Sequence, residues 1–315
     1  MLHVTNGDAA AGVIEAAEIG GEILPWRDVL HEGPVPAGLS LAELGAVRAD
    51  FIASLGWGDA AELRREVAAR DAAVAGFASH REVVLWFEHD LYDQLQLLQL
   101  LDFFAGAEVG ATRLTLVCGA EYLGPSTPAR LAERFADRRP VTRAQLALGR
   151  EAWAAFRSPD PREIESLVVG DTSALPYLAA ALVRHLEQFP STVNGLSRSE
   201  QQALEEIDAG AHTVRDAYVA SHQGREEPIW LGDTTFVTYL DDLARGAHPL
   251  VTLGQAAEAM ARTVSLTEAG RRVLAGRDDR VRLNGIDRWL GGVHLAGHEA
   301  AWRWDPEERR LVATG

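Results

Sequence analysis

Apolar and polar positions alternate in blocks along the first part of the chain. Leu2–Thr5 is a short apolar run, and the stretch Ala9–Ala17 behind it is small and helix-compatible. Glu22–Trp26, Glu82–Phe87 and Arg113–Cys118 predict three further strands, and the apolar run of Glu82–Phe87 is of the fully buried kind. Helical spacing appears in Ser40–Leu55, Asp59–Phe77, Leu91–Phe104 and Thr127–Phe135, with Ser40 and Asp59 as N-caps. His31–Pro36, holding Gly33, Pro34 and Pro36, reads as a loop. Strands alternating with helices predict parallel βαβ units, so residues 1–140 are expected to form a Rossmann-like α/β domain.

From about Thr142 to Phe189 the pattern is mostly helical and broken by Pro159, Pro161 and Pro176, which sets 141–194 apart as a helical region. A change of architecture is expected within Arg139–Leu167. Beyond the connector Phe189–Gly195, helices are expected at Ser197–Asp208, Thr213–Ser221 and Leu231–Arg245. Strands Pro249–Leu253 and Thr263–Leu266 follow, then a helix over Thr267–Leu274. Three helices followed by a two-stranded wing is winged-helix order, so 195–315 is expected to be winged-helix-like, with a terminal hairpin in Gly291–Thr314.

Composition narrows the chemistry. The 315 residues exceed what one core usually organises. No apolar run is long enough to span a membrane and no leader pattern opens the chain, so a cytoplasmic protein is expected. Cys118 is the single cysteine, which excludes an internal disulfide and a cysteine-cluster metal site; at the end of an apolar run it reads as packing rather than as a nucleophile. All 30 basic residues are arginine, which excludes a Schiff base, a lysine base and a lysine phosphate loop. Gly7 and Gly12 have phosphate-loop spacing, but Val13 stands where the lysine is needed. A net charge of −16 disfavours a nucleic-acid surface.

Four segments carry a resemblance: His3-Val4-Thr5-Asn6-Gly7-Asp8; Trp86-Phe87-Glu88-His89-Asp90-Leu91-Tyr92-Asp93-Gln94; Asp171-Thr172-Ser173-Ala174-Leu175-Pro176; and Asn284–Leu295 with Trp302-Arg303-Trp304-Asp305. Together they resemble the bacterial domain-of-unknown-function family 1835 over nearly the whole chain. The resemblance implies architecture and no particular reaction. Family members often have serine after Asn-Gly-Asp; Ala9 stands there, so a hydroxyl contact to phosphate or metal is lost at that position.

In an open parallel sheet, ligands bind beyond the carboxyl ends of the strands, where strand order reverses. If the first strand lies between the second and third, the tips Asn6-Gly7-Asp8 and Glu88-His89-Asp90 face one mouth. Asn6-Gly7-Asp8 reads equally as a tight turn, with Gly7 allowing an unusual backbone and Asp8 capping a helix, or as an anion site at a helix N-terminus. A helix cap explains one carboxylate of Glu88-His89-Asp90 with Asp93 one turn on, but three beside a histidine point further, to acid–base or metal chemistry. His3 fits a satisfied core histidine or a ligand. Asp28, His31 and Glu32 flank the same mouth or stabilise their turn, and Arg27 can clamp an anion. His294 and His298 fall in strand or turn, where a spacing of four does not make a shared face.

Two functions fit. The first is a small-molecule binder, or an enzyme of hydrolase or transferase type, acting at the carboxyl ends of the N-terminal sheet on a nucleotide, phosphorylated or metal-bound ligand. Its catalytic candidates are Asp8, Glu88, His89 and Asp90; its ligand-binding candidates are His3, Asn6, Gly7, Arg27, Asp28, His31, Glu32 and Asp93. A divalent metal suits these side chains, though they do not identify one. The second is a regulatory or interaction protein that docks protein through the winged-helix-like segment. Duplex DNA is a poor partner for that segment, because Leu231–Arg245 carries Asp233, Asp241 and Asp242 against Arg245 alone. Whether the chain catalyses a reaction, and whether it self-associates, stays open at this point.

Overall fold

The protein, described here from a computed structural model covering residues 1–314, is a mixed α/β chain with a five-stranded, mostly parallel sheet and thirteen α-helices among the described residues. Its residues divide into two compact units: Met1–Leu182 with Gly291–Val293, and Val183–Leu290 with the segment from His294 onward. The helical stretch 141–194 is thus shared between them. No described helix is long and apolar enough to cross a membrane.

In the first unit the elements run β1 (Leu2–Thr5), α1 (Asp8–Ala16), β2 (Glu22–Pro25), the two-residue β3 (Gly33–Pro34), α2 (Leu41–Ser54), α3 (Ala60–Ala75), β4 (Glu82–Phe87), α4 (Leu91–Gly106), β5 (Arg113–Cys118), α5 (Pro128–Ala136), β6 (Arg139–Pro140), α6 (Arg143–Arg157) and α7 (Arg162–Val168). The sheet order is β2-β1-β4-β5-β6, with β2, β1, β4 and β5 parallel and β6 antiparallel to β5. Strand order therefore reverses between β1 and β4, the arrangement on which the expected shared mouth depends. Register sets Thr5 beside Trp86, so Asn6 leaves β1 next to the end of β4.

Every residue of β4 is buried, which explains its uninterrupted apolar run. One face carries Val84, Trp86 and Val117 against Ala10 and Ile14 of α1 and Leu131 of α5, with Phe135 stacked on Trp86 at 6.0 Å. Each large side chain so buried contributes about 2–3 kcal/mol. Helix α4 is buried on nearly all sides and α6 packs against it. Gly149 makes that approach possible, since a Cβ there would lie 2.4 Å from the Cβ of Leu101. Ser40 closes a capping box with Glu43 on α2, and Asp59 caps α3. Within this unit Val35 N donates to Gly291 O, and Gly292 N to Phe156 O.

Helix α8 (Leu178–Leu186) begins in the first unit and ends in the second, where α9 (Arg198–Asp208), α10 (Val214–Tyr218) running into a π-helical turn over Val219–Gln223, and α11 (Asp233–Leu243) follow. The antiparallel pair β7 (Val251–Leu253) and β8 (Val264–Leu266) follows, then α12 (Glu268–Leu274) and α13 (Arg280–Asn284). The chain ends in β9 (Ile286–Gly291) with β10 (Val293–Gly297), and β11 (Trp302–Asp305) paired antiparallel with β12 (Arg310–Ala313). The first of these two hairpins starts earlier than expected because Gly285, at φ 77°, stops α13 and turns the chain directly into a strand. Phe236, Tyr239, Leu240 and Leu243 of α11 are core.

Candidate functional site

The carboxyl end of β4 delivers Glu88, His89 and Asp90 into the turn before α4. Asp90 is the N-cap of that helix, its Oδ1 accepting from Asp93 N at 3.1 Å. Asp93, one turn on, points back into the same space: its Oδ1 accepts from Glu88 N at 2.7 Å and its Oδ2 from Asn6 Nδ2 at 2.8 Å. Leu123 N donates to Glu88 Oε1 at 2.5 Å, from the loop after β5. Tyr92 Oη donates to Asn6 O at 3.2 Å, a second tie between the β1 tip and α4. Glu88, Asp90 and Asp93 are 5, 3 and 1% exposed, and each offers an oxygen within 4.8 Å of the others.

No arginine forms an ion pair with these three acids among the described residues, so burial dominates their protonation. Burial pushes all three carboxyls up, and their mutual repulsion adds to it for Asp90 and Asp93. Asp90 reaches about 7, and Asp93 lies well above the ordinary carboxylate range. The donors from Leu123 and Asn6, and the more distant charge of Arg134, pull Glu88 the other way without cancelling the effect. Burial also pushes the Cys118 thiol up to about 12, so it is a packing group beside the cluster. The half-buried His89 ring lies 5.2 Å from Tyr122 and 5.8 Å from Tyr177.

Of the other candidates only Asn6 joins the cluster. Asp8 is exposed, and Arg27 forks onto it with Nη2 2.6 Å from Oδ1 and Nε 3.0 Å from it. The two side chains line a separate groove of about 620 Å³ along α1 and β2. Gly7 is the N-cap of α1 with extended backbone, φ 175°, which any residue adopts, and Asp8 lies in the first turn without capping the helix. Both differ from the expected strained turn. His3 is fully engaged: Trp86 Nε1 donates to its Nδ1 at 3.0 Å, and its Nε2 faces Gly20 O at 3.0 Å. Asp28 serves the fold, accepting from the wholly buried Arg48, whose other donors reach Glu32 O and Val29 O. Buried His31 lies 5.9 Å from the Tyr92 ring.

Several members of the site carry no motif of their own. The Leu123 amide is set by the loop after β5. Gln94 lies inside the Trp86–Gln94 block; its Nε2 donates to Glu88 O at 2.6 Å. Gln94 and Cys118 also line a cavity of about 200 Å³ with Arg139, Gln145, Pro176 and Tyr177, among others. The adjacency of Tyr177 to the Asp171–Pro176 segment is the one signal that could have found it. No protein-family model matches the chain, and no curated protein matches it.

Proposed function

We propose that the chain is a small-molecule hydrolase or transferase of Rossmann-like fold, with its reaction centre at the carboxyl ends of β1, β4 and β5. The observation that carries this reading is three buried carboxylates that form no ion pair among the described residues, at the point where strand order reverses. Two oxygens bound to one Mg²⁺ or Ca²⁺ at about 2.1–2.5 Å lie no more than about 5 Å apart. The 4.8 Å spread of Glu88, Asp90 and Asp93 fits that limit, so a divalent cation would offset their charge. His89, half-buried at the rim, is the group suited to carry a proton to or from a bound ligand. A phosphorylated ligand suits such a cation, and the resemblance to the domain-of-unknown-function family stands beside this reading without adding a reaction.

The test is a thermal-shift screen with Mg²⁺, Mn²⁺ and nucleotides or phosphorylated compounds, since a ligand of the native state raises Tm. A cation should raise the Tm of the native sequence, and Asp90→Asn should abolish that rise while the unliganded variant stays folded. A cation response unchanged in the variant, or absent from the native protein, rejects the cation centre.

A second reading has its own support, the order α9, α10, α11, β7, β8, which suits a winged-helix-like domain docking a protein partner. Helix α11 itself has no basic residue, and Asp241 and Asp242 engage Arg262 and Arg280 in ion pairs, so it offers no free positive charge to a DNA groove.

A further inference from the structure

Beside the carboxylate cluster lies the cavity of about 200 Å³ at the end of β5, and its polar groups are not spent on one another. Arg139, exposed on the short edge strand β6, takes part in no ion pair among the described residues. The Gln145 amide is oriented by the capping box of α6: its Oε1 accepts from Thr142 N at 2.9 Å and Thr142 Oγ1 at 3.2 Å, which leaves its NH₂ as the outward end. Gln94 is oriented the opposite way. Its NH₂ is held by Glu88 O, so the carbonyl Oε1 is the outward end. The wall facing them is Leu175, Pro176 and Tyr177, delivered by a turn in which Ser173 N donates to Asp171 Oδ1 at 2.9 Å and Leu175 N to Thr172 O at 2.9 Å.

These orientations define a complementary ligand. A guanidinium and an amide NH₂ ask for an anionic group, because an arginine fork binds carboxylate or phosphate oxygens with two parallel hydrogen bonds. An amide carbonyl asks for a hydroxyl or amino donor. The apolar wall of Leu116, Leu175 and Pro176 asks for a short carbon skeleton between the two. A volume of about 200 Å³ holds on the order of half a dozen water-sized groups. We infer that this cavity is the substrate seat of the proposed reaction centre, and that it takes a small hydroxylated or aminated acid, its anionic group on Arg139 and Gln145 and its donor on Gln94. The inference rests on the proposed function for the word substrate, but the seat itself stands on the cavity and these three side chains. Gln94 links the two places, since the same side chain bonds Glu88 O and lines the cavity.

The experiment is calorimetric titration of the full chain with L-lactate, L-serine, acetate and inorganic phosphate as probes. Lactate and serine should bind more tightly than acetate, which lacks the second donor; phosphate in place of the carboxylates as the tightest probe would assign the anion as a phosphate. Arg139→Gln, at an exposed position, should leave the unliganded melting curve unchanged and weaken the best probe by about tenfold to a hundredfold, the range for a lost charge-assisted bond. Asp90→Asn should leave probe binding intact, because Asp90 does not line the cavity. If none of the four probes binds, or Arg139→Gln binds as well as the native protein, the seat is overturned. Either failure is independent of the cation response that tests the carboxylate cluster.

Discussion

Strand β4 carries an acid at each end, and the two ends are built in opposite ways. At the start, Glu82 is buried but surrounded by donors: Arg138 Nε at 2.7 Å, Arg113 Nη2 at 2.7 Å and Thr115 Oγ1 at 3.0 Å. Burial alone would raise its carboxyl; these bonds overcome burial and hold it at about 2. At the far end Glu88, Asp90 and Asp93 have neutral hydrogen-bond donors and each other, with Arg134 acting on Glu88 only through space, and all three carboxyls are raised. The Asp28–Arg48 pair likewise gives a buried acid an arginine partner. In a chain with 30 arginines, Arg134 acts on Glu88 through space and none forms an ion pair with the cluster among the described residues, so its charge is met less fully than that of Glu82. That difference, rather than acidity as such, separates the end of the strand proposed as the reaction centre from the one that serves the fold.

The contrast can be broken by substitution. The largest expected effect is at the compensated end. Glu82→Gln should cost about 2–3 kcal/mol at neutral pH, since a pKa held at about 2 stabilises the fold above the unfolded carboxyl value, and this stability is lost as pH falls towards 2. Chemical denaturation at pH 7 and pH 3 measures it, and equal stability of the two proteins at pH 7 would show that the arginines compensate nothing.

At the uncompensated end the sign reverses. Asp90 folds with a raised pKa, so its contribution is most favourable below the unfolded value and is lost as pH rises through about 7. Asparagine caps a helix as well as aspartate does. Asp90→Asn should therefore stabilise the unliganded protein by about 1–3 kcal/mol at pH 8, with the gain shrinking towards zero near pH 4. Denaturant melts across that range decide it; a destabilised variant at pH 8 would make Asp90 a structural acid like Glu82.

The smallest effect sharpens the comparison by exclusion. Asp8 and Arg27 are 71 and 53% exposed in their side chains, so Asp8→Ala should change stability by no more than about 0.5 kcal/mol and should leave any cation-induced rise in Tm unchanged. Loss of that rise would bring Asp8 back into the same centre as Asp90.

Much of this end of the molecule is legible in the residues. The blocks Leu2–Thr5, Glu82–Phe87 and Arg113–Cys118 are strands with the expected bounds, because uninterrupted apolar runs between turn residues leave little choice of period. The caps Ser40 and Asp59 act as their types predict. Strand β6 was not visible: two residues, one of them proline, leave no pattern to read. Neither was the division of labour among the acids. Asp8, Asp28 and Asp90 are alike as letters, and only the position of Arg27 and Arg48 in space separates them. Backbone donors such as Leu123 N have no side-chain signature at all.

The bond from Asn6 to Asp93 spans 87 positions along the chain, and that from Leu123 to Glu88 spans 35. The polar centre therefore cannot assemble from α4 and its own turn; it comes into being when β1 closes on β4. Until that moment its carboxyl groups face water and hold protons as free aspartate and glutamate do. On closure at about pH 6 the chain must draw protons from the buffer. Strand pairing and proton uptake become one kinetic event, so an indicator dye in a weakly buffered refolding mixture would time the completion of the sheet, a non-local step and hence a slow one.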